Sequence, residues 1–113
     1  MKCISVKQPW ANLISNGNKT IETRTWNTNY RGELLIASSK KPDVYPAGCV
    51  VALATLIDCR DMELEDEDFA CCQYRDGLKA WVLDNIRKVR PIPIKGQLGI
   101  YESGINKENL IFK

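Results

Sequence analysis

The stretch Gly17-Asn18-Lys19-Thr20-Ile21-Glu22-Thr23-Arg24 places a base, an acid and a second base within six residues, directly after a helix stop. That stop is Asn16-Gly17, a pair suited to the left-handed conformation that ends many helices. From Thr20 to Trp26 the residues are β-branched or aromatic and alternate with polar ones, the pattern of a strand. On such a strand Thr20, Glu22 and Arg24 share one side, and Ile21 and Thr23 the other. Upstream, Pro9 suits a first helical turn, and Trp10, Leu13 and Ile14 follow at i, i+3 and i+4 as one apolar stripe. A helix over residues 8–16 is therefore expected, preceded by a short strand over Met1–Val6.

Downstream, Glu33–Ser38 reads as a mostly buried strand, and Cys49–Cys59, the most apolar segment, as the central one. Residues 60–78 open with an acidic stretch and continue into one short helix ending near Gly77. Ala80–Val89 resumes a strand on which Trp81, Leu83 and Asn85 alternate. Pro91 and Pro93 forbid regular ladder pairing in the extended segment that follows. Gly96–Tyr101 is a last strand, and Asn106–Lys113 a tail or edge element. Five or six strands with one early helix and one short mid-chain helix suggest a small α+β barrel, not a parallel βαβ sheet. A length of 113 residues fits one domain over 1–113.

The composition, 44% apolar and 27% charged, is that of an ordinary globular domain. No apolar run approaches the roughly 20 residues that span a bilayer, and Met1–Val6 lacks a signal-peptide core, so a cytoplasmic address and no membrane contact are expected. A monomer is the default. The cysteines Cys3, Cys49, Cys59, Cys71 and Cys72 are odd in number, two are adjacent, and no C-x-x-C spacing occurs. They read as small buried hydrophobes rather than a disulfide framework or a structural zinc site. The chain has no histidine, which excludes Ser-His-Asp and Cys-His activation and the commonest metal ligand. No cofactor and no metal are expected.

Charge is segregated although the net charge is only +2. Residues 1–57 carry seven Lys/Arg against three Asp/Glu, residues 58–76 two against eight, and residues 77–113 seven against three. Two basic segments can assemble a positive face with the acidic one elsewhere, or the acidic stretch is simply a solvated face.

Within the opening motif Arg24 offers a planar fork for phosphate or a base edge, Lys19 a mobile point charge, and Glu22 an acceptor or proton carrier. The plain alternative is a surface ion-pair ladder worth about 0–1 kcal/mol. Trp10 is either core or a base-stacking platform, and Trp81 likewise. Trp26 is a rim contact or a loop anchor. Asn85 is a buried amide needing partners or a base reader. Lys40, Lys41, Arg87, Lys88 and Arg90 are solvated charge unless the fold brings them beside a cleft. Ser38, ending a buried strand, is a further cleft candidate.

Gly17-x-Lys19-x-x-Glu22-x-Arg24 resembles the G-x-K-x-x-E-x-R signature of the ASCH domain, a branch of the PUA-like superfamily. Ile4-Ser5-Val6-Lys7-Gln8-Pro9-Trp10-Ala11 looks like that family's opening strand and helix, and Arg31-Gly32 with Leu35-Ile36-Ala37-Ser38 like its next strand. Trp81–Asn85 and Pro91–Gly96 look like the closing strands of a bacterial and phage subgroup. The resemblance covers nearly the whole chain except an acidic insert at about 60–70. It implies a β-barrel whose cleft, beside the early helix and lined by the motif, binds RNA. One branch, similar to N4-acetylcytidine amidohydrolases, works with Lys, Thr and Glu. Its lysine aligns with Lys19, but its threonine falls at Glu22. Other relatives are ribonucleases.

Two functions from different classes follow. In a binding module for single-stranded RNA or a nucleotide-like small molecule, Lys19, Arg24 and Arg31 neutralise phosphate and Glu22 orients a base. In a hydrolase, Lys19 stabilises developing negative charge and Glu22 is the general base. A third possibility makes residues 61–68 a contact for another protein.

Overall fold

A computed structural model describes residues 1–113. Its elements in chain order are β1 (Lys2–Val6), α1 (Trp10–Ser15), β2 (Ile21–Arg24), β3 (Gly32–Ser38), β4 (Cys49–Asp61), α2 (Glu67–Ala70), β5 (Lys79–Pro93) and β6 (Ile100–Glu102). A 3-10 turn over Leu64–Asp66 leads into α2, and another spans Lys107–Asn109. The six strands form one sheet in the order β2-β5-β4-β3-β1-β6. Every pairing is antiparallel except β1 with β3. The sheet curls into a half-barrel.

Period-two alternation divides the core between the two sheet faces. Ile4, Val6, Leu34 and Ile36 point to the face covered by α1, through Ala11 and Ile14, and join Trp81 and Leu83 there. Their neighbours Cys3, Leu35 and Ala37 point the opposite way, onto Tyr101 and Leu110 of the C-terminal region. With both faces covered, β3 needs no polar side, which is why Leu34-Leu35-Ile36-Ala37 is an unbroken apolar run. A third cluster, Ile21, Met62, Ala70, Leu78 and Ala80, packs the outer side of β2 against the acidic segment.

Helix α1 covers six residues of the expected 8–16. It ends where Gly17 turns to φ 83°, with Gly17 N–H donating to Ile14 O, and Asn18 and Lys19 N–H both to Leu13 O. These bonds fix the direction in which Lys19 leaves the helix.

Three expectations are corrected. The mid-chain helix stops at Cys71 (φ 54°), well short of Gly77. The two prolines do not end the ladder: β5 runs through Pro93, with Ile92 opposite Val50 and Pro93 opposite Cys49. Ile94 N–H donates to Gly48 O on the β4 side. By alternation the nitrogen of Pro93 faces away from β4, where no bond is lost, and Pro91 falls where the register between β4 and β5 shifts. The last strand is only Ile100–Glu102.

Candidate functional site

The sheet does not close, and its seam is where the motif sits. Edge strand β2 faces the end of β1, because β6 pairs only with Lys2–Ile4 and leaves Ser5 and Val6 uncovered on that side. Arg24 spans the gap, its Nη2 donating to Ser5 O at 2.8 Å. The seam opens into a cleft of about 420 Å³, lined among others by Ser5, Lys7, Trp10, Lys19, Glu22 and Arg24. The loop Gln97-Leu98-Gly99 forms its far rim.

Glu22 sits between two cations. Its Oε2 lies 2.9 Å from Arg24 Nη2 and accepts from Arg24 Nε at 3.1 Å, while its Oε1 is 3.5 Å from Lys19 Nζ. The Lys19 side chain is 2% exposed, that of Glu22 11% and that of Arg24 24%, so the triad grades from interior to cleft. This excludes a surface ladder. Lys19 Nζ also donates to Ala70 O, the last residue of α2. Arg24 Nη1 has no partner within the protein.

The acidic segment is therefore a wall of the site, not an appendage. It is anchored by Arg60, which grips Asp66 with two bonds of 2.7 and 2.9 Å. The Arg60 bond holds the Asp66 carboxyl below its ordinary value, and the same bond raises the guanidinium. Thr20 N–H donates to Phe69 O, fixing the segment to the start of β2. Behind the cleft, Ser5 Oγ shares a 3.1 Å hydrogen bond with the Tyr101 hydroxyl, to which Cys3 Sγ donates at 3.4 Å. Burial pushes the Cys3 thiol up to about 11 and the Tyr101 hydroxyl up to about 12, so both stay protonated at neutral pH.

Of the residues singled out in the sequence, Trp10, Lys19, Glu22 and Arg24 come together. Trp10 is at the cleft and 39% exposed, because the six-residue helix buries Ala11 and Ile14 and leaves its first residue at the rim. Ser38 is buried, its Oγ bonded to Cys49 N–H and O at 3.2 Å, and it lines an adjoining groove. Three others lie elsewhere. Arg31 points to Asp58 at 3.8 Å and to the carbonyls of Thr28 and Tyr30. Trp81 is fully buried against Trp26 and is no platform. Asn85 is exposed at φ 48°, in a β-bulge between β4 and β5 that breaks the alternation with Trp81 and Leu83. Ser5 and Ala70 escaped notice because they contribute main-chain carbonyls, which leave no mark in a sequence. Thr23 and Cys72 also reach the cleft, their Oγ1 and Sγ 3.9 Å apart.

Fold and site together define a small curled six-stranded domain with a buried ion triad in its open seam. The chain belongs to the ASCH domain family, whose model matches residues 4–93. Activating signal cointegrator 1 of Homo sapiens is 32% identical over 126 aligned positions, covering 88% of this chain. The Mus musculus protein of that name is 31% identical over the same share. The chain spans only 22% of the length of either. The crystal structure of ASCH from Zymomonas mobilis superimposes with a TM-score of 0.73 at 19% identity, covering 95% of this chain and 88% of that one. A single-substitution variant of that protein gives 0.71. At such identity these two establish the fold alone.

Proposed function

We propose that the seam cleft is a binding site for one nucleotide unit of single-stranded RNA, or for a nucleotide-like small molecule. The observation that carries this is the surplus of cation over carboxylate at the cleft floor. Lys19 and Arg24 share the single carboxylate of Glu22, and Arg24 keeps a free Nη1. Lys7 on the rim, with Lys40 and Lys95 in the adjoining groove, extends the positive surface outward. A guanidinium fork fixed by its own carboxylate is pre-oriented for phosphate. The volume of about 420 Å³ lies within the range of small-ligand sites. Family membership supports the reading, since ASCH domains are proposed to bind RNA.

The test is fluorescence anisotropy with a short single-stranded RNA across a salt series. Each phosphate neutralised on a single strand contributes a slope of about −0.7 in log affinity against log salt. Arg24→Gln should weaken binding and remove about one such increment. Binding indifferent to salt would sink the proposal. Appearance of a cleaved product from RNA or from N4-acetylcytidine, lost in Glu22→Gln, would instead make the domain a hydrolase. In that case Lys19 steadies charge and Glu22 acts as base. The binding role is favoured because both Glu22 oxygens face cations.

A further inference from the structure

We propose that the bound strand continues from the cleft into the aromatic groove beside it, where the neighbouring base stacks on Trp26 and Trp10. This deepens, and rests on, the RNA-binding reading of the cleft. The groove, of about 680 Å³, shares Trp10, Thr23, Arg24 and Cys72 with the cleft, so the two are continuous. Its lining adds Trp26, Tyr74 and Arg75 and contains no aspartate or glutamate. Trp10, Trp26 and Tyr74 are each 38–39% exposed and line this one groove together.

Trp26 is held ready. Its ring meets that of Trp81 edge-on, with centroids 4.7 Å apart and an interplanar angle of 85°, and Trp81 Nε1 donates to Trp26 O at 3.3 Å. A ring whose rotamer is fixed from behind loses little entropy when a base stacks on it. The main chain at Tyr74 is held by its N–H, which donates to Glu67 Oε2 at 2.6 Å. The Arg75 guanidinium has no partner within the protein and lines the same groove. The groove has no carboxylate in its lining, and its unpaired Arg75 disfavours a cationic peptide and suits a polyanion whose bases need faces.

The opposite side of the cleft has a different character. The groove there, lined by Ser5, Ser38, Lys40, Lys95 and Gln97, has lysines and hydroxyls but no aromatic ring. It suits backbone phosphate and offers no stacking. The strand thus has a stacking end and a phosphate end about a central cleft, and the matching ligand is a trinucleotide.

The experiment compares adenosine monophosphate with the adenine trinucleotide by anisotropy competition, in the wild type and in Trp26→Ala. The wild type should bind the trinucleotide about tenfold or more tightly than the mononucleotide. Trp26→Ala should erase most of that gain while changing mononucleotide affinity less than about twofold. Because Trp26 also packs on Trp81, the exposed variants Tyr74→Ser and Arg75→Ala serve beside it. The first should reduce the trinucleotide gain, and the second should lower its salt slope by about 0.7. In NMR spectra the Trp26 indole signal should move with trinucleotide and not with mononucleotide. A trinucleotide gain that persists in both Trp26→Ala and Tyr74→Ser overturns the groove assignment. Equal wild-type affinity for the two ligands also overturns it while leaving the cleft in place. Failure of the wild type to bind either overturns the cleft reading, and this one with it.

Discussion

Replacing Glu22 by glutamine should strand the buried cation of the triad. Glutamine keeps the shape of the side chain but presents one acceptor oxygen where the carboxylate presents two. If that oxygen serves Arg24, as it does now at 2.9 Å, the amide N–H₂ meets the Lys19 amine donor to donor. Arg24, 24% exposed, recovers by solvation, so its half of the loss is about 0–1 kcal/mol. Lys19, at 2% exposure, cannot, and keeps only the Ala70 carbonyl. Removing the partner of a buried ion costs about 3–5 kcal/mol. Together these give about 4 kcal/mol, a large part of the roughly 5–15 kcal/mol that such domains possess. The melting temperature should fall by about 15 °C. The assay is urea denaturation of the wild type, Glu22→Gln, Lys19→Met and the double variant. Methionine fills the path of the lysine stem without its charge. The double variant should be more stable than Glu22→Gln alone by about 2 kcal/mol, because the stranded cation is gone. A Glu22→Gln loss under about 1 kcal/mol would refute the reasoning, as would a double variant no better than the sum of its parts.

Three further outcomes are expected. The Asp66 carboxyl is held down by Arg60, so its ionised form stabilises the fold above the ordinary Asp value near 3.8. That contribution is lost as pH falls through the lower folded value. Asp66→Asn should remove this part of the acid sensitivity, and acid unfolding curves of the two proteins that differ by a constant at every pH would contradict it. The Cys3 thiol, raised to about 11 by burial, should resist iodoacetamide at pH 8 while Cys71 and Cys72 react, as read by mass spectrometry. Equal labelling rates would refute this. Gly17, at φ 83° with nothing within 4 Å of an added Cβ, pays for alanine only in backbone conformation. Gly17→Ala should cost about 1 kcal/mol in denaturant unfolding and Gly17→Asn less, since asparagine tolerates the left-handed region; equal costs would point to a steric origin instead.

The motif was legible because its chemistry is local. Lys19, Glu22 and Arg24 lie within six residues, and the alternation of β2 puts the last two on one side whatever the rest of the sheet does. The early helix and all six strands also announced themselves through alternation, apolar runs and punctuation. What stayed hidden depends on long-range pairing. Trp81 and Trp26 are both aromatic residues near basic strands, and nothing local says which is buried. The β5 register decides it, by placing Trp81 opposite Glu22 on one side and Cys59 on the other. The bulge that turns Asn85 outward arises from the mismatch between β4 and β5, so neither strand alone reveals it. The acidic segment read as solvated charge, and Glu63, Glu65 and Asp68 are exposed as that implies. Its role as a wall comes from Asp66 and two main-chain carbonyls.

The bond from Lys19 to Ala70 has a consequence for how such domains diverge. An amine that docks on a main-chain carbonyl senses the route of the opposing segment and is blind to its side chains. Apart from Asp66, which Arg60 grips, residues 63–70 can therefore exchange composition, and even shed their exposed negative charge, while the lysine stays fixed, provided the turn still delivers a carbonyl to the same point. Two relatives could share the same site yet show little similarity in this segment beyond its anchoring carboxylate. Substitutions at Lys19 and at position 70 would then vary independently, and the contact that closes the site would be invisible to any comparison of aligned sequences.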